Sequence, residues 1–156
     1  MSVESKYLDD YRKMQRSDFS HFFEMPTRWG DSDAFGHINN ALYSRYYESA
    51  RVAYFEEAMD MKFKMDSKEG LILADMKVAF LQQLHYPIVM EIGSRVSRLG
   101  NSSLVLDAAI FIKGTDTLVN TSRATLVYFD FKNNDKKPIP KSARDLICGF
   151  ETIPPA

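Results

Sequence analysis

One stretch in the first half of the chain has the hydrophobic spacing of a long amphipathic helix, and it constrains the fold more than any other feature. Between about Asn40 and Met59, aromatic and alanine side chains recur at three- and four-residue steps, at Tyr43, Tyr46, Tyr47, Ala50, Tyr54 and Ala58. This spacing places them on one face of a helix of roughly 20 residues, ~30 Å long. A face of this size must be buried against another layer of secondary structure.

The segments on either side of this helix have the patterns of β-strands. One strand is predicted before the helix, over His21 to Arg28, with Pro26 favouring an edge or a bulge. Four strands are predicted after it, over 71–82, 89–98, 103–112 and 118–131. Hairpin-length turns join three of these four, which predicts antiparallel pairing. We therefore expect an α+β fold with a five-stranded antiparallel sheet wrapped around one central helix, and open edges that favour oligomers.

The 156 residues are enough for one domain with a buried core, and no linker or repeat divides them. We expect an N-terminal extension over 1–18 with a short polar helix over Val3 to Met14. A single domain is expected over 19–150, ending in a helical turn over Ser142 to Phe150. Residues 151–156 are expected to form a C-terminal tail.

The composition excludes several functional classes. The formal net charge of -1 provides no global basic field for nucleic acid. The chain has no apolar leader and no run of ~18–20 apolar residues, so neither a signal peptide nor a membrane span is predicted. Cys148 is the one cysteine, which fits a reducing cytoplasm. We expect Cys148 to be a small hydrophobic residue near the core.

The sequence WGDSDAFGHINNALY, residues 29–43, leads into the helix. The first N–H groups of a helix lack intrahelical acceptors and carry a partial positive charge, so they favour an anion or a polarised carbonyl oxygen. Asn39 is a good capping residue, and Gly36 permits a turn that brings Asp31 or Asp33 back towards these N–H groups. A carboxylate beside such donors can hydrolyse an acyl bond. The same residues are also ordinary turn and cap formers, so spacing alone leaves a structural role open.

Other catalytic and cofactor patterns are missing from the sequence. The three histidines, His21, His37 and His85, have no HxxE or CxxC pattern around them, so no metal site is predicted. The sequence contains no GxSxG elbow and no glycine-rich nucleotide loop.

The whole stretch from Trp29 to Tyr43, followed by RYYESAR over 45–51, resembles the signature of hotdog-fold acyl-CoA thioesterases of the 4-hydroxybenzoyl-CoA thioesterase-like group. In that signature a D-x-D-x-x-G turn precedes H-x-N-N-x-x-Y and an aromatic-rich helix. The resemblance extends through VSRLGNSSL, residues 96–104, and leaves out only the N-terminal extension. It implies hydrolysis of acyl-CoA thioesters to free acid and CoA, without a cofactor.

The resemblance also implies roles for individual residues. Asp33 matches the catalytic carboxylate, acting as nucleophile or as a water-orienting base. Asn40 matches the position whose backbone N–H faces the thioester carbonyl, and Asp31 looks like a turn-forming partner. His37 is a secondary catalytic candidate, because acyl-carrier-protein thioesterases of this fold pair such a histidine with an asparagine where this chain has Phe35.

The implied substrate-binding residues fall in two places. Gly36 and Tyr43 belong to the motif itself, and the others lie in a later hairpin, at Arg98, Asn101, Ser102 and Ser103. In relatives this hairpin meets the phosphates and pantetheine of CoA, usually from a neighbouring subunit. Arginine suits phosphate oxygens, and a glycine-containing turn offers free N–H groups. We therefore expect a homodimer or homotetramer with sites at the subunit interface.

Several alternatives stay open at this point. The chain could be a non-catalytic module that binds acyl-CoA or an acyl carrier protein, or a structural dimer scaffold. Glu48 is either a second acid or an ion-pair partner of Arg45 or Arg51. A basic cluster is either a solvated loop or a contact for the CoA 3′-phosphate or for an acidic carrier protein; it comprises Lys132, Lys136, Lys137 and Lys141.

Overall fold

In a computed structural model, which describes residues 9–156, a curled antiparallel sheet encloses one long helix. The sheet order is β1-β3-β4-β5-β2, with β6 added beside the end of β5. All neighbouring strands are antiparallel. This confirms the predicted hotdog architecture. The elements are β1 (His21–Pro26), α1 (Tyr43–Met59), β2 (Glu69–Phe80), β3 (Val89–Leu99), β4 (Ser103–Ile112), β5 (Leu118–Asp130), β6 (Asp135–Lys136) and α2 (Lys141–Phe150).

The central helix begins as a 3₁₀ turn over Asn40–Leu42 and continues as α1. Turn and helix together span the predicted range. The side chain of Asn39 caps the turn by accepting a 3.0 Å hydrogen bond from the N–H of Ala41. The helix ends where Asp60 adopts the left-handed conformation, with φ of 49°.

The buried face of α1 is the aromatic stripe that the spacing predicted, with Phe55 added to it. Tyr54, Phe55 and Ala58 pack among inward side chains of β3, β4 and β5 near the C-terminal end of the helix. Tyr43, Tyr46, Tyr47 and Ala50 form a second cluster with other side chains of β3, β4 and β5 at the N-terminal end. The helix is therefore held along its whole length, which positions its N-terminus against the sheet.

Some predicted boundaries were wrong. The first strand stops at Pro26, which has no N–H to continue a ladder. The strand predicted over 71–82 is displaced to Glu69–Phe80, because the N–H groups of Leu81 and Gln82 both turn onto the carbonyl of Val119. The segment interpreted as a loop after β5 contains β6, because the Asp130 carboxylate accepts hydrogen bonds from Lys132 and Asn133 and closes a tight hairpin.

The ends of the chain also differ in part from expectation. Half of the predicted helix over Val3 to Met14, residues 3–8, lies outside the described residues. Its described part, 9–14, forms a turn in which the N–H of Lys13 donates to the carbonyl of Asp10. The C-terminal helical segment is present as α2, but Cys148 is exposed rather than near the core, because α2 buries its face at Ala143 and Ile147. No helix within residues 9–156 is long and apolar enough to cross a membrane.

Candidate active site

Asp31 anchors the loop that precedes the helix. Its carboxylate is buried and accepts a 2.7 Å hydrogen bond from the hydroxyl of Tyr46 through Oδ2. The backbone N–H and the guanidinium of Arg28 also contact this carboxylate, and the Asp31 carbonyl accepts from the N–H of Asn39 at 2.9 Å. Burial acts to raise the pKa of Asp31, but the hydrogen bonds from Tyr46 and Arg28 outweigh it, so the pKa lies below its ordinary value. These contacts give Asp31 a structural role.

Asp33 closes a five-residue turn immediately after Asp31. Its N–H donates to the carbonyl of His37 at 2.7 Å, and its Oδ1 accepts from the N–H groups of Phe35 at 2.9 Å and His37 at 3.2 Å. Gly36 adopts a φ of 79°, which favours glycine. Within residues 9–156, Oδ2 of Asp33 accepts no hydrogen bond. The turn therefore fixes one carboxylate oxygen and leaves the other for a ligand.

The first turn of the helix contains a backbone donor that has no partner among the described residues. The N–H groups of Ala41 and Leu42 are satisfied by the side chain and the carbonyl of Asn39. In the described part of the chain, the N–H of Asn40 has no acceptor, and Asn40 is exposed. The helix start therefore offers this N–H to an incoming oxygen atom.

Asp33 and Asn40 line one cleft of about 560 Å³. His37 and Tyr43 line it as well, so the structure brings together four of the predicted site residues. Gly36 shapes the turn at its edge. The opposite wall was not predicted as part of a site and consists of residues 80–84 at the end of β2. Its sequence pattern indicated only a strand, and its place in the cleft depends on the sheet order.

His37 is half-buried and packs edge-on against His85, with 5.0 Å between ring centroids. Nδ1 of His85 lies 3.2 Å from the carbonyl oxygen of Gly36. No local sequence pattern links His85 to residues 36 and 37. The imidazole of His37 lines the cleft with Asp33, and His85 packs against it without lining the cleft itself.

Tyr43 contributes an aromatic floor to the cleft. Its ring makes edge-on contacts with Tyr46 and Phe80, at centroid distances of 5.8 and 5.3 Å. Burial raises the pKa of Tyr43, so its phenol stays neutral at ordinary pH. Tyr43 therefore packs α1 against the end of β2 and shapes the floor of the cleft.

The predicted CoA-binding hairpin lies at the other end of the sheet. Arg98 and Ser103 line a separate cavity of about 170 Å³ where β3 turns into β4. The hairpin backbone is well held, since the carbonyls of Asn101 and Ser102 accept from the N–H groups of Ile139 and Tyr128. The cleft lies beyond the start of β3, and eleven strand residues span about 35 Å. A single chain therefore does not bring the hairpin to the cleft.

The other charged candidates are mostly paired. Glu48 accepts a 2.5 Å hydrogen bond from Arg45. This is the ion-pair alternative of the two predicted for Glu48. In the basic cluster, Lys137 contacts Glu69, and Lys141 lies 2.6 Å from Asp145.

A carboxylate held on a tight turn, next to an unsatisfied helix N-terminus, defines a site able to polarise and attack an acyl carbonyl. The thioesterase-like superfamily matches residues 27–147, and the chain belongs to this superfamily.

The chain is also similar to individual proteins. The chain is 26% identical to the PA5185 protein of Pseudomonas aeruginosa, with a TM-score of 0.80 over 88% of this chain and 95% of that one. It is 32% identical to the PA2801 protein of Pseudomonas aeruginosa, with a TM-score of 0.74 over 83% of this chain and 98% of that one. PA2801 has a provisional assignment as a thioesterase. It is 28% identical over 101 residues to the protein YsmA of Bacillus subtilis, covering 64% of this chain and 67% of YsmA.

Proposed function

We propose that this protein hydrolyses acyl-CoA thioesters to a free acid and CoA. The observation that carries the proposal is that Asp33 and Asn40 line the same cleft. The membership of the thioesterase-like superfamily supports thioester hydrolysis as the reaction type.

In the proposed reaction the thioester carbonyl oxygen points at the N–H of Asn40. Negative charge develops on that oxygen as the carbonyl carbon is attacked, and the helix N-terminus stabilises it. A donor of this kind contributes ~10²–10³ in rate. The carbon–sulfur bond breaks, and CoA leaves as the thiolate, which takes up a proton.

Asp33 acts in one of two ways. As a nucleophile it forms a mixed anhydride with the acyl group, which water then hydrolyses to release the acid and regenerate the carboxylate. As a base it orients a water molecule that attacks the carbonyl directly. The hydrogen bonds on Oδ1 and the unoccupied Oδ2 suit either route, and His37 serves as a secondary polar group at the rim.

The hairpin at Arg98 is proposed to bind the phosphates of CoA, together with Asn101, Ser102 and Ser103. Since it lies far from the cleft of its own chain, this contact requires a second subunit. The proposed active protein is therefore a homo-oligomer with its sites at a subunit interface.

The decisive experiment is Asp33→Asn, measured as release of free thiol from a panel of acyl-CoA thioesters. We expect turnover to fall by at least ~10³-fold while the fold and acyl-CoA binding persist. Asp145→Asn, which changes an exposed carboxylate on α2, serves as the matched control and should retain full turnover. A variant Asp33→Asn with near wild-type hydrolysis contradicts the assignment.

A non-catalytic acyl-CoA binding module is the second candidate, because the helix N-terminus and Arg98 suit binding without any role for Asp33. It predicts tight binding of acyl-CoA with no thiol release by the wild-type protein. The same panel, with benzoyl and hydroxybenzoyl thioesters beside aliphatic chains of graded length, tests the 4-hydroxybenzoyl-CoA subgroup.

A further inference from the structure

Arg144 on α2 contacts the β3–β4 hairpin, residues 98–103, through backbone carbonyl groups. Its Nη2 donates to the carbonyl of Gly100 and, at 2.8 Å, to the carbonyl of Asn101. Its Nε donates at 3.3 Å to the carbonyl of Ile139, in the loop that precedes α2. Arg144 is half-buried, and none of the ion pairs formed within residues 9–156 includes it. The guanidinium therefore binds backbone rather than a carboxylate.

Other elements also hold the backbone at the tip of the hairpin. The carbonyl of Asn101 accepts a second hydrogen bond, at 2.9 Å, from the N–H of Ile139. The next carbonyl, of Ser102, accepts a 2.8 Å hydrogen bond from the N–H of Tyr128 on β5. The carbonyls of residues 100–102 are therefore all engaged by other parts of the protein.

The planar trans peptide bond then fixes the direction of the N–H groups at the tip. Within one peptide unit, the carbonyl and the N–H of the following residue point in opposite directions. The carbonyls of Gly100 and Asn101 face Arg144. The N–H groups that follow them, of Asn101 and Ser102, consequently point away from the guanidinium, and neither has an acceptor in the described part of the chain.

Gly100 allows the tip of the hairpin to be narrow. Its N–H donates to the carbonyl of Ser103 at 2.8 Å. A Cβ atom at this position would lie 3.1 Å from both the carbonyl oxygen and the hydroxyl oxygen of Ser103, which is tighter than ordinary van der Waals contact. Glycine therefore permits the close approach of the two arms of the hairpin.

The tip has the chemistry of a phosphate site. Consecutive N–H groups without acceptors form a concave site for anions. Arg98 is exposed on the same hairpin, and it lines a cavity of about 170 Å³ together with Ser103. The carbonyls bound to Arg144 are neutral and do not cancel its positive charge, so this charge also favours an anion at the tip.

We propose that Arg144 is a positioning residue for this hairpin. It holds two peptide units so that the N–H groups of Asn101 and Ser102 meet phosphate oxygens of CoA. If either unit turns over, a carbonyl oxygen replaces an N–H at the tip and repels the phosphate. The identity of the ligand rests on the proposed function, whereas the orientation of the two donors is a property of the fold.

Calorimetric titration with CoA tests the proposal without requiring turnover. Arg144→Met removes the hydrogen bonds to the hairpin and should raise the Kd for CoA ~tenfold. Arg12→Met is the matched control, because it removes the same charge from an exposed arginine that pairs with Asp10. This control should bind CoA as the wild type does. Equal affinity of Arg144→Met and the wild type overturns the proposal.

A role in positioning is separated from a role of the charge alone by two further measurements. Arg144→Lys keeps the charge, but its single nitrogen cannot replace the contact with Ile139 while it holds both hairpin carbonyls, so CoA should bind more weakly. Wild-type affinity in Arg144→Lys shows that the charge suffices and overturns the proposal. In nuclear magnetic resonance spectra at saturating CoA, the amide signals of Asn101 and Ser102 should shift in the wild type and not in Arg144→Met. Equal shifts in both proteins contradict the proposal.

Turnover distinguishes positioning of the phosphate site from a general structural effect. In Arg144→Met the KM for acyl-CoA should rise ~tenfold with kcat unchanged, because the lost interaction is the same in the ground state and the transition state. The KM for acyl-pantetheine thioesters, which contain no phosphate, should stay at the wild-type value. A lower kcat, or a similar rise in both KM values, indicates a structural role and contradicts the proposal.

These experiments also separate the inference from the proposed function. A wild-type protein that binds CoA but releases no thiol from any acyl-CoA contradicts the proposed hydrolysis, and the titrations still decide the role of Arg144. A wild-type protein that hydrolyses acyl-CoA, with CoA affinity unchanged in Arg144→Met, contradicts the role of Arg144 alone. A wild-type protein that binds no CoA overturns both.

Discussion

The hydroxyl of Tyr46 donates a 2.7 Å hydrogen bond to Oδ2 of Asp31, and both residues are buried. Tyr46 belongs to α1 and Asp31 to the loop before it, so this bond ties the loop onto the helix. The turn that carries Asp33 begins two residues later. The position of the proposed catalytic carboxylate therefore depends on a contact that takes no part in the reaction.

Tyr46→Phe removes the donor and leaves the buried Asp31 carboxylate with one partner fewer. We expect the free energy of unfolding to fall by about 1–3 kcal/mol. Urea denaturation measures it, and Tyr86→Phe, at a half-exposed position, is the control. Equal stability of the two variants would show that the bond does not hold the loop.

The lowered pKa of Asp31 predicts a pH dependence of stability. Because the folded pKa lies below the ordinary value of 3.8, ionised Asp31 contributes stability that is fully present above about pH 3.8 and is lost as pH falls through the folded pKa. Asp31→Asn should therefore show a smaller loss of unfolding free energy than the wild type between pH 5 and pH 2. Parallel curves for the two proteins contradict this.

Asn40→Pro tests the oxyanion donor directly, since proline has no N–H. Proline is tolerated at the first position of a helix, and Asn39 already has the extended conformation that a following proline requires, with ψ of 129°. We expect kcat to fall ~10²–10³-fold without loss of the fold. Asn40→Ala keeps the N–H and should keep most of the activity. Equal activity of the two variants rules out a role for this N–H.

Gly36→Ala places a side chain at a φ of 79°. We expect a loss of about 1–2 kcal/mol in unfolding free energy, together with a lower kcat, because the turn that orients Asp33 is strained. Thermal denaturation and thiol release measure the two effects. Gly149→Ala, in α2 with open space around the added carbon, should be neutral or stabilising.

Arg98→Met should weaken the binding of CoA if the hairpin contacts phosphate. The expected result is a higher KM for acyl-CoA with little change in kcat. Acyl-pantetheine thioesters, which lack the nucleotide, provide the control and should show no difference between variant and wild type. A similar rise in KM for both substrates points to a structural role of Arg98 instead.

The local features of the site followed from the sequence. The aromatic spacing defined α1, and the cap at Asn39 and the turn at Gly36 depend on residues within a few positions of one another. Hydrogen bonds of this kind form wherever the local sequence permits them. The spacing alone left Asp31 and Asp33 open as the carboxylate near the helix start, and only the family resemblance implied a turn-forming role for Asp31, whose partner Tyr46 comes from the next element.

The long-range features depended on the tertiary structure. Residues 80–84 reach the cleft because of the sheet order, and Arg98 lies about 30 Å from the start of its strand because nine residue steps separate it from Val89. Cys148 is exposed because the neighbouring residue Ile147 takes the buried position on α2. Periodicity determines which face of an element is apolar, but only strand register and packing decide which distant residues that face meets. For this protein the sequence by itself determined the helix, the approximate positions of β1 to β5 and the turn that holds Asp33, and the tertiary structure decided the strand ends, β6 and what surrounds them.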